Sequence, residues 1–411
     1  MRESIMSERA VKNVLVSGAS ISGPALGHWL THYGINTTIV EKSSYLRGGG
    51  YPIDIRGTAR DVVERMGLYE ALKAKHVDSQ YASFIDASGG IIAKIKPEAL
   101  SGGVRGQDIE IRRGDLAEAL FEATKDKVTY RFNDSIAALK EVSDGVEVTF
   151  ANGDTAKYDI VIGSDGLHSH TRNLVLGIHE EFERYMGQCF AGFSVPNTFG
   201  LDRESVACTL PARSVILNAT KDSDRVHVFL CFRQEESPFA KYELMSDADK
   251  RNLTAEKYKG IESWIIPQLV EEMKKAEDLF FDSVSQIHLP AWSKGRVALA
   301  GDAAHATSFF SGQGSSMALV SAYMLAGELA TKPDYRSAFA AYEALTRPFV
   351  ELNQSLVKVG EKFLRPDTQE ELDMRNEALR EMANQEVNEE VNPVEAESRE
   401  AHSALTLPDY V

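Results

Sequence analysis

Residues 14–30 read VLVSGASISGPALGHWL, which places Gly18, Ser20 and Gly23 at the spacing of a G-x-G-x-x-G loop with serine in the middle position. In such a loop the first glycine makes a tight turn. The second lets the backbone approach a pyrophosphate, and the third lets the helix pack on the strand. Gly18 and Gly23 keep the first and third roles. Ser20 is small and its hydroxyl can donate to a phosphate, while Ile21 and Ser22 lead into a helix whose N-terminus attracts anions. An acid that binds ribose hydroxyls is expected about 20 residues further on. Glu41, with Lys42 beside it, lies 23 residues after Gly18 at the end of the β-branched run NTTIVE. The chemistry is that of a bound dinucleotide.

Two later stretches have the same strand-then-glycine form. DIVIGSDGLHSHTR delivers Asp165 and Gly166 into a turn. VALAGDAAHATSFFSGQGSSMALVSAYMLAGEL delivers Gly301 and Asp302, and its Gly312-Gln313-Gly314 loop opens a helix. His305, in GDAAH, reads as a structural histidine near a helix end rather than a general base, and His168 and His170 read as locally hydrogen-bonded or solvent-facing. No metal-ligand spacing and no G-x-S-x-G nucleophile elbow is present.

The elements that hold these loops follow from pattern. Strands at 12–17 and 36–41 flank a helix at 22–33 with Pro24 near its start, which makes a βαβ unit. A glycine loop, a strand near 53–55 and a helix ending by Gly67 follow, then a hairpin at 81–86 and 91–95 and a helix at 114–125. Strands are expected at 127–132, 145–150 and in YDIVIG. From about 181 to 287 the runs CFAGFSVP, SVACTL, SVILNAT and RVHVFLCF predict an antiparallel sheet. Residues 315–330 predict a helix, and Phe349, Leu352, Leu356, Val359 and Phe363 predict one apolar stripe on a later helix.

The 411 residues make two or three domains at roughly 100–200 residues each. Hydrophobic residues at 43% and charged ones at 26% are globular values, and no apolar run is long enough to span a membrane. The charged N-terminus lacks the apolar stretch of a signal peptide. Cys189, Cys208 and Cys231 are too few and too far apart for a disulfide framework, so buried thiols in a reducing cytoplasm are expected. The net charge of −16 argues against nucleic acid, but residues 366–411 alone contribute −10, from thirteen acids and three arginines. That tail reads as a solvated or partly helical extension, and the protein as a monomer.

Taken in order, GxSxxG…E, EIRRGDL, GSDGxxSxxR and GDAAH…GQG resemble the class A FAD-dependent monooxygenases, the para-hydroxybenzoate hydroxylase family. More narrowly, RGGGYPIDIRGTARDVVERMGLYEAL, SGQGSSMALVSAYMLAGEL and a helix ending in RPFVELNQ look like the tetracycline destructases. The resemblance implies an α/β fold: a Rossmann-like FAD-binding domain, an antiparallel-sheet substrate domain and C-terminal helices. The FAD-binding domain would take residues 10–75, 105–180 and 280–345, the substrate domain 76–104 and 181–279, and the C-terminal helix and tail 346–411.

Residue roles come with the resemblance. Glu41 would hold the adenosine ribose, Arg113 the phosphates and ribityl chain, and Asp302 the ribityl hydroxyls. The Gly312-Gln313-Gly314 loop would face the flavin pyrimidine edge, where a helix N-terminus stabilises an anionic reduced flavin. Asp165 would serve FAD and NAD(P)H, and Asp54 and Arg56 would approach the isoalloxazine from the other side. Phe190, Arg213, Phe232 and Phe309 are candidate substrate contacts, Phe309 and Phe310 reading equally as core. The chain departs from the family where Ser308-Phe309-Phe310 replaces prolines and where Ser316 and Ser321 replace Asn and Asp. The implied reaction inserts one oxygen of O₂ into an electron-rich aromatic or polyketide substrate through a flavin C4a-hydroperoxide, with NAD(P)H as reductant. A non-oxygenating flavin reductase or dehydrogenase, and a flavoprotein that sequesters a polycyclic ligand, remain alternatives.

Overall fold

The computed structural model describes residues 11–46, 50–178, 180–221, 224–236, 245–387 and 393–410. Its first sheet has six strands in the order Ser293–Lys294, Val297–Leu299, Ile160–Gly163, Asn13–Ser17, Asn36–Glu41 and Thr129–Phe132. All neighbours are parallel except the short antiparallel edge pair. Parallel strands are covered on both faces, and so run continuously apolar. Val14 and Val16 point to the helices Ser22–His32 and Gly314–Thr331, meeting Leu26, Leu30, Leu319 and Val320. Leu15 points the other way, to Val146, Val148 and Phe150 of a three-stranded antiparallel layer. Two strands of that layer, Ile136–Val142 and Thr155–Tyr158, were not expected from sequence: IAALKEV opens on an unbroken apolar run that does not alternate, and TAKY is only four residues long.

The second sheet has seven strands, in the order Phe280–Ile287, Glu183–Pro196, Arg225–Arg233, Arg213–Ala219, Glu204–Leu210, Tyr81–Ile85 and Ile91–Ile95. It is antiparallel apart from the pairing of Glu204–Leu210 with Tyr81–Ile85. Residues 280–287, expected in the flavin-binding segment, instead pair with Glu183–Pro196 as the edge of this sheet. One face packs Val228, Leu230 and Phe232 against Tyr258, Leu269 and Met273, from the segment of the helices Asp247–Lys257 and Ile266–Lys275. The other face turns toward the first sheet's loops. All three cysteines are buried.

The C-terminal part differs from expectation in two ways. The expected stripe is divided between helices Tyr335–Ser355 and Val357–Leu364, which meet at Leu356. Leu352 is exposed while Phe349 and Leu356 are buried, and the side chains of Val359 and Phe363 lie outside the described residues. The acidic tail is also packed rather than solvated. Helix Gln369–Val387 lays Leu379 and Met382 on Phe84 and Ile95 of the second sheet. Beyond helix Pro393–His402 the chain crosses the first core. Thr58 donates to the Leu405 carbonyl (2.8 Å), Arg65 donates to that of Pro408 (2.9 Å), and the Tyr410 hydroxyl donates to Glu328 (2.7 Å). Among the described residues no helix is long and apolar enough to cross a membrane.

Candidate active site

The first loop is built on two steric demands. Gly18 has φ +101°, and a Cβ there would lie 2.7 Å from the Ser164 carbonyl oxygen. A Cβ on Gly23 would lie 1.9 Å from the carbonyl oxygen of Gly18. Ser20 is not among the positive-φ residues, which is why a side chain is tolerated there. Its hydroxyl accepts from the Arg113 guanidinium (2.7 Å). Ile21 and Ser22 are buried at the helix start, and the Ser22 hydroxyl has no partner among the described residues. Glu41 accepts the N–H groups of Ala19 and Ser43, each at 2.9 Å, and so ties the strand end to the loop; Lys42 is exposed.

Arg113 joins this loop to the rest. Its N–H donates to the Tyr51 carbonyl (3.1 Å), and its guanidinium, with that of Arg172, opposes the rise of the Asp302 pKa, which burial drives. Asp302 opens a short helix after Gly301, and a Cβ on Gly314 would sit 3.7 Å from its carboxylate. Gly312 is left-handed (φ +65°) and Gln313 caps helix Gly314–Thr331. Gln313 is buried, yet neither atom of its amide has a partner among the described residues. A buried amide without partners is costly unless a ligand satisfies it. Ser316, in place of the family asparagine, donates to the Asp54 carbonyl (3.2 Å), and the Ser321 hydroxyl accepts from the Gly301 N–H (3.2 Å).

Three expected contacts are turned elsewhere. Asp165 accepts from the Ser169 hydroxyl and from the N–H and hydroxyl of Thr171, so its carboxylate holds the start of helix His170–Leu176. Arg56 is buried, ion-paired to Asp54, and donates to the Ser101 carbonyl (3.1 Å). Asp54 and Arg56 thus satisfy each other.

The open face of the second sheet supplies the other wall. Strand alternation puts Phe190, Phe229 and Cys231 on this face with Met186 and Val284, packed on Phe310 and Val357. Phe309 stacks on Phe190, ring centroids 4.7 Å apart at 23°, and meets Phe229 edge-on at 5.0 Å. Arg213 and Phe232 do not join them. They are opposite each other in register on the reverse face, where Arg213 donates to the Lys257 carbonyl and Phe232 lies in the helix-covered core. Sequence reading found the right strands but not which parity faces the site.

It also missed four residues. Tyr51 packs against Phe229 (5.0 Å) and His227 (5.7 Å), and Arg113, Asp302 and Asp282 act on its phenol, whose pKa burial raises. His227 and Phe229 sit two apart in RVHVFLCF, which alternation could have revealed. Asp282, opposite Phe190 in register, hydrogen-bonds His168 (2.7 Å), a pair 114 residues apart that no local signal announces. His305 is packed beside Trp292 and Tyr342, as a structural residue would be.

Burial pushes His227 down to about 4 and both His305 and His402 to about 3. The unfolded imidazoles titrate near 6.5. Between these values the unfolded chain binds protons that the folded chain refuses, so stability is full above about pH 6.5 and falls as pH drops toward 4. Melting temperatures from pH 8 to 4.5 should therefore decline on the acid side, and His305→Phe should shallow that decline; a flat profile would contradict the burial.

The glycine cradle, the Arg113–Asp302 group and the partnerless Gln313 amide fit a flavin dinucleotide, and the family model described as an FAD binding domain matches residues 12–353. The chain belongs to this family of flavin-dependent monooxygenases. A protein named flavin-dependent monooxygenase, from an unknown prokaryotic organism, is 38% identical over 97% of this chain and 99% of its own. The crystal structure of tetracycline destructase Tet(55) is 35% identical with a TM-score of 0.81, covering 98% of this chain and 99% of the other. That of tetracycline destructase Tet(51) is 33% identical with a TM-score of 0.82, covering 97% and 100%.

Proposed function

We propose that the protein uses FAD, O₂ and NAD(P)H to insert one oxygen atom into an electron-rich aromatic or polyketide substrate, with tetracyclines among the candidates. The observation that carries this reading is the wall of Phe190, Phe229, Phe309 and Tyr51 beside Arg113, Asp302 and Gln313. An apolar, aromatic face next to a redox cofactor suits a flat carbon substrate and keeps water from the reacting atoms. When bound, the flavin supplies the electron transfer and oxygen activation that no side chain can.

The chain's own residues bind and orient. In this reading Gly18, Ser20, Ile21, Ser22 and Gly23 cradle the pyrophosphate, with Glu41 on the adenosine ribose. Arg113 and Asp302 hold the phosphate and ribityl region, and Gln313 donates and accepts through its buried amide. The N-terminus of helix Gly314–Thr331 stabilises negative charge on the reduced ring. His227, neutral at pH 7, offers a ring nitrogen that has no partner among the described residues to a substrate hydroxyl or carbonyl. Residues 10–75, 105–180 and 280–345 then form the flavin-binding part, except that strand Phe280–Ile287 borders the substrate face.

The test is to supply reconstituted protein with NADPH or NADH, air, and a panel of tetracyclines and simple phenols. The expected product carries the mass of one added oxygen atom, with one nicotinamide oxidised per product. Nicotinamide oxidation that never yields such a product would favour the non-oxygenating reductase. Tight ligand binding with no flavin reduction would favour sequestration.

A further inference from the structure

The loop before Gln313 carries a conformation that its residues do not favour. Ser308 has φ 83° and ψ 150°, a region essentially restricted to glycine. Its strain is matched by the ring contacts of the next residue. Phe309 stacks on Phe190 at 4.7 Å, meets Phe229 at 5.0 Å and faces Tyr51 at 6.4 Å. Each such pair is favourable beyond simple burial. Phe310, by contrast, is anchored. It is buried, and the helix Val357–Leu364 approaches it so closely that a Cβ on Gly360 would lie 2.2 Å from its carbonyl oxygen. Of the two phenylalanines, Phe309 is the one left partly exposed.

We propose that Phe309 is a stand-in for the substrate's ring: a flat, unsaturated ring takes its place against Phe190 and Phe229, and Phe309 swings out about Ser308. This rests on the oxygenation reading above, and it narrows the substrate class to planar rings. An incoming ring gives Phe190 and Phe229 the same stacking without holding Ser308 in its strained state, so the strain is released on binding. A puckered, saturated ring cannot stack at the 4.7 Å, 23° geometry that Phe190 and Phe309 display.

Equilibrium dialysis of the oxidised holoenzyme, without nicotinamide, tests this with 1-naphthol and its saturated counterpart decahydro-1-naphthol. The expected result is at least about ten-fold tighter binding of 1-naphthol. Ser308→Gly removes the strain from the stacked state and should weaken 1-naphthol binding about ten-fold, since one backbone outlier is worth roughly that factor. Ser308→Ala keeps the strained backbone and loses only the hydroxyl that accepts the Phe310 N–H (3.3 Å), so it should weaken 1-naphthol binding clearly less than Ser308→Gly. Equal binding of the two probes would overturn the proposal, as would Ser308→Gly binding 1-naphthol undiminished. Because the readout is binding to oxidised protein, the expected pattern together with a turnover assay that yields no oxygenated product would sink the oxygenation reading and leave the ring exchange standing.

Discussion

Gly23→Ala is expected to yield protein that no longer retains FAD. Helix propensity alone argues the reverse, since alanine within a helix is favoured over glycine by about 1 kcal/mol. Geometry outweighs it. The new Cβ would lie 1.9 Å from the Gly18 carbonyl oxygen and 3.0 Å from its carbon, both backbone atoms that cannot rotate away. Helix Ser22–His32 must then lift from the loop, and the cradle opens. We expect FAD affinity to fall by at least about 100-fold, roughly 3 kcal/mol. The molar ratio of flavin to protein after reconstitution and desalting measures it, and a ratio near one would refute the steric account. Ser20→Gly restores the common motif but removes the acceptor for Arg113 (2.7 Å), so it should weaken FAD a few-fold rather than strengthen it.

The second large effect lies far from the loop. Tyr410→Ala should destabilise the protein by about 3 kcal/mol, lowering the melting temperature by about 5 °C. Its ring covers Gly327, where a Cβ would lie 2.0 Å from a ring carbon, and its hydroxyl donates to the buried Glu328. Gly327→Ala alone should cost a similar amount, again against helix propensity. In the double variant the alanine no longer meets the ring, so its cost should be far below the sum of the two. Strict additivity in thermal melts would show that the ring and the glycine do not share that space.

What could be read from sequence was whatever is local. Gly18 and Gly312 turn the chain at positive φ, and Gly23 closes on Gly18 five residues back, so their spacing announces them. The face of a strand is not local. Phe229 and Phe232 belong to one strand, yet only pairing with neighbours decides that Phe229 meets Phe309 while Phe232 joins the helix-covered core. The partners of Asp165 and Arg56 were not legible for a related reason: each is held by neighbours whose contacts only the fold settles, Ser169 and Thr171 for the one, Asp54 and Ser101 for the other. The tail misled through its composition. Leu372, Arg375, Leu379 and Met382 form the buried stripe of helix Gln369–Val387 at steps of 3, 4 and 3. The arginine interrupts it, because its charge hides that it packs on Phe84 and donates to Thr209.

The clasp made by residues 403–410 also bears on how the protein is born. Thr58 and Leu405 are 347 residues apart, and Arg65 and Pro408 are 343 apart. On the ribosome the glycine loop, its helix and the helix Thr58–Arg65 emerge early, yet their last partners leave the exit tunnel only after every other described element. Closing so long a loop adds little entropy beyond a shorter one, but such contacts form slowly. The nascent flavin-binding part must therefore wait, incompletely sealed, until Tyr410 has emerged, which makes the clasp the last of the described contacts to form.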